Sequence, residues 1–253
     1  MRLGILISCL LVGMHSWALE GQGDTSADLI GRSTPVGLSL EGTAGYGVPL
    51  WGDSKDGNPF YGYLRPFANV ALSSVAASKL ALEFYPVSFV GFTVGRSYRY
   101  RTLDFSGINC EASACKGWLN STYVRARVIG KFQNFFGSLV FEKYDFDHRD
   151  DLQGPIIEEI NAVNLAPRHD EGYGNSVVVG YSLDDEWSAG LRADSFKTRK
   201  WENTSEMQVV FVRSIRREWT YIVGLGRFAS SQFGVAPEVV AAVNWTGLKK
   251  IGP

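Results

Sequence analysis

The feature of this chain that most restricts its fold is alternation. Between residues 37 and 245, apolar and polar side chains take turns over segments of about ten residues, the period-2 pattern of a strand whose two faces meet different surroundings. In 120–131, Val124, Ala126 and Val128 share one face and Tyr123, Arg125, Arg127 and Lys131 the other. Trp187, Ala189, Leu191 and Ala193 oppose Ser188, Gly190, Arg192 and Asp194. Trp219, Tyr221, Val223 and Leu225 oppose Thr220, Gly224 and Gly226, and Val239, Ala241, Val243 and Trp245 oppose Glu238, Ala242 and Asn244. The segments 37–46, 62–74, 78–85, 87–100, 134–146, 174–183 and 205–214 fit less cleanly, and 19–36 has room for a twelfth strand. Around Val94–Tyr100 the phase breaks, because Arg96 falls on the parity of Phe92 and Val94; a bulge or an exit from the sheet is the expected repair. No later segment approaches ~18 consecutive apolar residues, so no transmembrane helix is expected.

The connections are unequal. Ser74–Ser78, Tyr85–Val87, Gln133-Asn134, Leu183–Glu186 and Ser214–Glu218 are tight, whereas Val48–Pro59, Leu103–Gly117, Asp147–Gly172 and Arg199–Thr204 are longer and polar. From residue 87 onward the two kinds mostly alternate. A meander with a short-turn rim and a long-loop rim produces that order, as transmembrane barrels do. The apolar parity also carries Trp187, Trp219, Tyr221 and Trp245 near strand ends, where an amphipathic ring suits a bilayer interface.

Residues 1–18 read as a cleaved secretory leader: Met1-Arg2, an apolar run from Leu3 to Met14, and Ser16-Trp17-Ala18 before the cut. Cleavage removes Arg2 and Cys9 and leaves 24 basic against 26 acidic residues in the domain 19–253. That near-balance gives no reason to expect nucleic acid as a partner. The hydrophobic fraction of 45% excludes a disordered chain, and 28 glycines with 13% aromatics favour β-structure. Export also makes the two remaining thiols, Cys110 and Cys115, an expected disulfide. Two thiols without a nearby His fall short of a metal site, and neither a metal nor any other cofactor is expected.

On these features the mature chain resembles the small bacterial outer-membrane β-barrel proteins of ten to fourteen strands. The resemblance is architectural and covers the whole mature chain. It implies a closed, all-β, antiparallel up-and-down transmembrane barrel of about twelve strands, ten being the alternative. It also implies the outer membrane of a Gram-negative bacterium, outer-membrane lipid as surroundings and the outer-membrane assembly machinery as a partner. Such barrels usually end on an aromatic residue, whereas here eight residues follow Trp245.

With the apolar parity facing lipid, the other parity places Arg65, Glu83, Arg125, Arg127, Glu142, Arg192, Asp194, Glu206 and Glu238 in the lumen. Charges there must be hydrated or paired, so the expected function is a structural barrel or a narrow, weakly selective channel for small solutes. An outer-membrane hydrolase, protease or lipid-modifying, is the alternative. Its site would lie in the outer loop rim, where Asp145, Asp147, His148 and His169 are the candidate catalytic residues, although such proteases draw paired residues from opposite walls and these lie in one run. The run Asp147–Asp151 also has the carboxylates of a Ca²⁺ site without the spacing of a defined loop. A third reading turns the aromatic face inward, giving a soluble periplasmic barrel with an apolar ligand.

Overall fold

A computed structural model describes residues 21–52, 60–102, 110, 113–148 and 155–248. The proposed leader, Asp150 and Asp151 lie outside the described residues. Twelve antiparallel strands close into one barrel. In chain order they are β1 (Gln22–Ser33), β2 (Val36–Trp51), β3 (Gly62–Leu72), β4 (Val75–Val87), β5 (Val90–Arg101), β6 (Gly117–Phe132) and β7 (Phe135–His148). After a short hairpin, β8 (Ile156–Glu158) and β9 (Val163–Leu165), the wall resumes with β10 (His169–Ser182), β11 (Trp187–Thr198), β12 (Thr204–Arg216), β13 (Trp219–Ser230) and β14 (Gly234–Leu248). Each strand pairs with its neighbour along the chain, β7 meets β10 across the hairpin, and β1 meets β14 at the seam.

All eleven segments read from alternation are wall strands, and the twelfth lies within 19–36. The exterior is the apolar parity: Val124, Val128, Leu191, Val223, Leu225 and Val239 stand exposed in a continuous band. This overturns the soluble reading, which required those side chains to face inward. A closed barrel leaves no unpaired strand edge, and an apolar exterior suits hydrocarbon, so the fold is that of a membrane-spanning barrel.

Three details depart from the sequence expectation. β5 is regular along its whole pairing with β6, without a bulge, and Arg96 stays on the outer face. Its guanidinium lies 5.2 Å from the ring centre of Tyr98, one outward position further along the strand. The outer face becomes polar near this end of the barrel, which removes the reason for a phase change. Second, loop lengths are not fully segregated. The connection between β2 and β3 is long, yet it shares a rim with the chain ends and the tight turns at 88–89, 133–134, 183–186 and 217–218. The opposite rim carries the two longest connections, 102–116 and 149–168. Third, Trp187, Trp219, Tyr221 and Trp245 all gather at the rim of the chain ends, with Trp219 directly opposite Trp245. At the opposite rim Tyr100 packs against Trp118, ring centres 4.9 Å apart, beyond the polar outer wall around Arg96. Short turns and termini identify the first rim as periplasmic and the long-loop rim as outer.

Candidate functional site: a charged lumen under an inserted hairpin

From residue 155 onward, the connection between β7 and β10 lies inside the barrel. Its hairpin β8–β9 presents Ile156, Val163 and Leu165 to Leu119 of β6, Phe146 of β7 and Phe196 of β11, and these form the largest apolar cluster among the described residues. Gly172 makes room for the two rings, since a Cβ there would lie 2.3 Å from Phe196 and 2.9 Å from Phe146. Polar contacts fix the hairpin at its edges. Arg99 of β5 donates to Glu158 at 2.7 Å and to Glu159 at 2.8 Å. Arg101 donates to the carbonyl oxygens of Ile157 at 2.6 Å and Ala114 at 3.2 Å, and Arg32 to that of Ile160 at 2.8 Å. The buried Asp170 carboxylate accepts the backbone N–H groups of Ala166, Glu171 and Lys200 and so anchors the return to the wall. Three-residue strands are too short to carry a readable period, so this plug is not legible in the sequence.

Residues 113–116 of the loop between β5 and β6 join the same structure. Cys110 and Cys115 are bridged, and next to the bridge Ala114 pairs with Ile156 as a third, parallel partner of the hairpin. Non-reduced, alkylated protein should show a linked 110–115 peptide by mass spectrometry, with both thiols unmodified by the reagent. Reduction should change stability only modestly, because so short a loop removes little unfolded-state entropy.

Below the hairpin lies a cavity of about 510 Å³, lined by Arg32, Lys79, Arg99, Arg125, Arg127 and Arg192, by Glu142, Glu158 and Asp194, and by the rings of Phe67, Tyr123, Tyr144 and Phe146. Five of the nine lumen residues expected from parity, Arg125, Arg127, Glu142, Arg192 and Asp194, thus meet here. Arg125 is bonded to Glu142, whose other oxygen accepts the Tyr144 hydroxyl at 2.6 Å. Arg192 pairs with Asp194 at 2.8 Å. Lys79 and Arg127 form no ion pair among the described residues. Arg65 and Glu83 also face inward but form a separate buried knot nearer the periplasmic rim, where Arg65 bridges Asp24 and Glu83. Gly45 makes that knot feasible, because a Cβ there would lie 2.7 Å from the guanidinium. Glu238 is inward and buried beside Arg32, 3.5 Å away at the β1–β14 seam.

Glu206 is a correction. On β12 the inward residues are Ser205, Met207 and Val209, whereas Glu206 is exposed on the outer wall. Both parities of β12 carry apolar residues, so its phase could not be read. Glu206 stands on the third position of the strand, close to the outer rim, where a carboxylate meets water. The sequence reading also missed Arg32, Lys79 and Arg99 as lining residues. Arg32 sits in the least readable segment, and Arg99 has the parity opposite to Arg96, which had obscured the phase of β5.

The candidate catalytic residues are not brought together in the lumen. His148 has the inward parity of Phe146, whereas Asp145, Asp147 and His169 lie on the outer wall. His169 Nδ1 is 3.1 Å from Asp145 and 3.5 Å from Asp147.

No protein-family model matches the chain, and no curated protein sequence does. Solved structures do resemble it. An outer membrane channel from Pseudomonas putida F1 shares 9% identity over 90% of this chain and 95% of its own, with a TM-score of 0.51. A KdgM porin shares 10% identity over 87% and 98%, with a TM-score of 0.46. A NanC porin shares 7% identity over 89% and 100%, also at 0.46. The fold is that of the bacterial outer-membrane β-barrels.

Proposed function

We propose that the protein is a narrow channel for small solutes, restricted at its outer end by the inserted hairpin and leaning towards anions. The observation that carries this reading is the cavity inside the wall, whose lining has six basic side chains against three acidic ones. Twelve strands leave more room than the packed interior of an eight-strand barrel and much less than a large porin. Wall charges of one sign in excess set the local potential in a narrow lumen, where little water screens them. The near-balance expected from the nine-residue set gives way to this basic excess because Arg32, Lys79 and Arg99 line the cavity whereas Glu83, Glu206 and Glu238 do not.

The test is reversal potential in planar bilayers under a salt gradient. Wild-type protein should conduct in small steps and prefer anions. The double variant Arg125→Ser, Arg127→Ser leaves four basic side chains against the same three acidic ones, so the preference should move towards cations. An unchanged reversal potential in a conducting double variant would remove both residues from the solute path. Silence from folded protein of both forms would leave the barrel a structural one.

A further inference from the structure

We propose that Asp145, Asp147 and His169, with Asn120 beside them, form a divalent-cation site on the outer wall near the outer rim, suited to a first-row ion such as Zn²⁺ or Mn²⁺. Asp145 and Asp147 are two apart on β7 and so share its outward face. β10 places His169 directly opposite Asp147. One ligand atom from each of the three lies within 4.8 Å of the others, and the imidazole nitrogen is 3.1 and 3.5 Å from the two carboxylates. Ligands held at ~2.0–2.2 Å from one ion stand about 3 to 3.5 Å apart, so a small closure of the two strands' side chains completes the geometry.

A second observation points to the same place. Asn120 of β6 is the cross-strand partner of Asp147 on its other side. It lies on the outward parity, between Trp118 and Thr122, yet is only 4% exposed. Its Oδ1 is buried and has no hydrogen-bond partner. A buried carbonyl-type oxygen is costly without a partner, and a cation held by the adjacent Asp147 supplies one. The neighbouring acid that could compete, Glu171, is already engaged by Lys143 at 3.3 Å, Arg199 at 2.9 Å and the Tyr173 hydroxyl at 2.6 Å. Lys200 donates to the His169 carbonyl oxygen at 2.7 Å and leaves the imidazole available. The donor set of one imidazole nitrogen with carboxylate and amide oxygens favours Zn²⁺ or Mn²⁺ over Ca²⁺, which prefers oxygen throughout. The open side of the site faces away from the wall, where water completes the coordination.

The experiment is isothermal titration of the full, detergent-solubilised barrel, stripped of metal, with Zn²⁺, Mn²⁺ and Ca²⁺ in turn. One Zn²⁺ or Mn²⁺ per chain should bind, more tightly than Ca²⁺. His169→Ala and Asp147→Asn should each weaken that binding by tenfold or more, and Asn120→Ala by about 10- to 100-fold, as partners of a ligand do. Heat-modifiable migration on detergent gels verifies that each variant is folded. Asp147→Asn, at an exposed position, serves if His169→Ala does not fold. Absence of saturable binding, or binding unchanged in the folded variants, overturns the site and leaves His169 as an imidazole hydrogen-bonded to two surface carboxylates.

Discussion

Converting Ile157 to Asp should turn the restricted channel into a more conducting one. Ile157 is fully buried in the inserted hairpin, and a carboxylate there would be desolvated beside the negatively charged Glu158. An unpaired buried charge costs several kcal/mol, more than a three-residue ladder and two ion pairs from Arg99 return. The hairpin should therefore leave the mouth while the wall, held by its own complete ladder, stays closed. Single-channel steps should become several times larger, and the anion preference should strengthen because Glu158 leaves the cavity with the hairpin. The check is paired: bilayer recordings for step size, and heat-modifiable migration for the wall. Steps of wild-type size from a folded Ile157→Asp barrel would show that the hairpin does not restrict the path, and the channel reading would lose its gate.

The second large effect concerns the exterior. Val124 and Ala241 stand on the lipid parity near the middle of β6 and β14, Val124 one outward position further in than Thr122, the cross-strand partner of Arg96 and Asp145. An Arg at the bilayer midplane costs roughly 2–4 kcal/mol on a barrel exterior, and less near the interfaces. Val124→Arg and Ala241→Arg should each lower the yield of inserted barrel and its unfolding midpoint in denaturant. Thr122→Arg, one outward position nearer the outer rim, should be much milder. Equal stability of all three variants would mean that the hydrocarbon band does not lie between the aromatic residues of the periplasmic rim and the polar outer wall around Arg96.

The same physics decides which strands can be read from the sequence. β6, β11 and β14 were legible because one parity is almost wholly apolar and the other carries charge or glycine, so only one phase satisfies both lipid and lumen. β12 was not, since Val209 and Phe211 face inward while Val210 and Val212 face outward, and Glu206 was assigned to the wrong side. Arg96 misled for a related reason: outside the hydrocarbon band the outward parity no longer has to be apolar. Pairing partners were beyond reach as well. Nothing local says that Arg99 will meet Glu158 and Glu159, about sixty residues away, or that Asp145 and Asp147 will find His169 on one face while His148 takes the other. The candidate lumen was therefore partly legible and its plug was not.

The hairpin's contacts also order the events of assembly. Its apolar side needs Leu119, Phe146 and Phe196 in place together, its ion pairs need β5, and Arg32 on the first strand reaches Ile160 at its tip. No sheet shorter than β1–β11 carries all of these surfaces, and the reach of Arg32 across the lumen to Ile160 needs the wall curved shut, so docking waits for the wall to close. A chain paused before closure would carry 156–165 in water, with amides that exchange quickly and peptide bonds open to protease. Protection of this one segment thus works as a clock hand for biogenesis, reading the final step and none of the earlier ones.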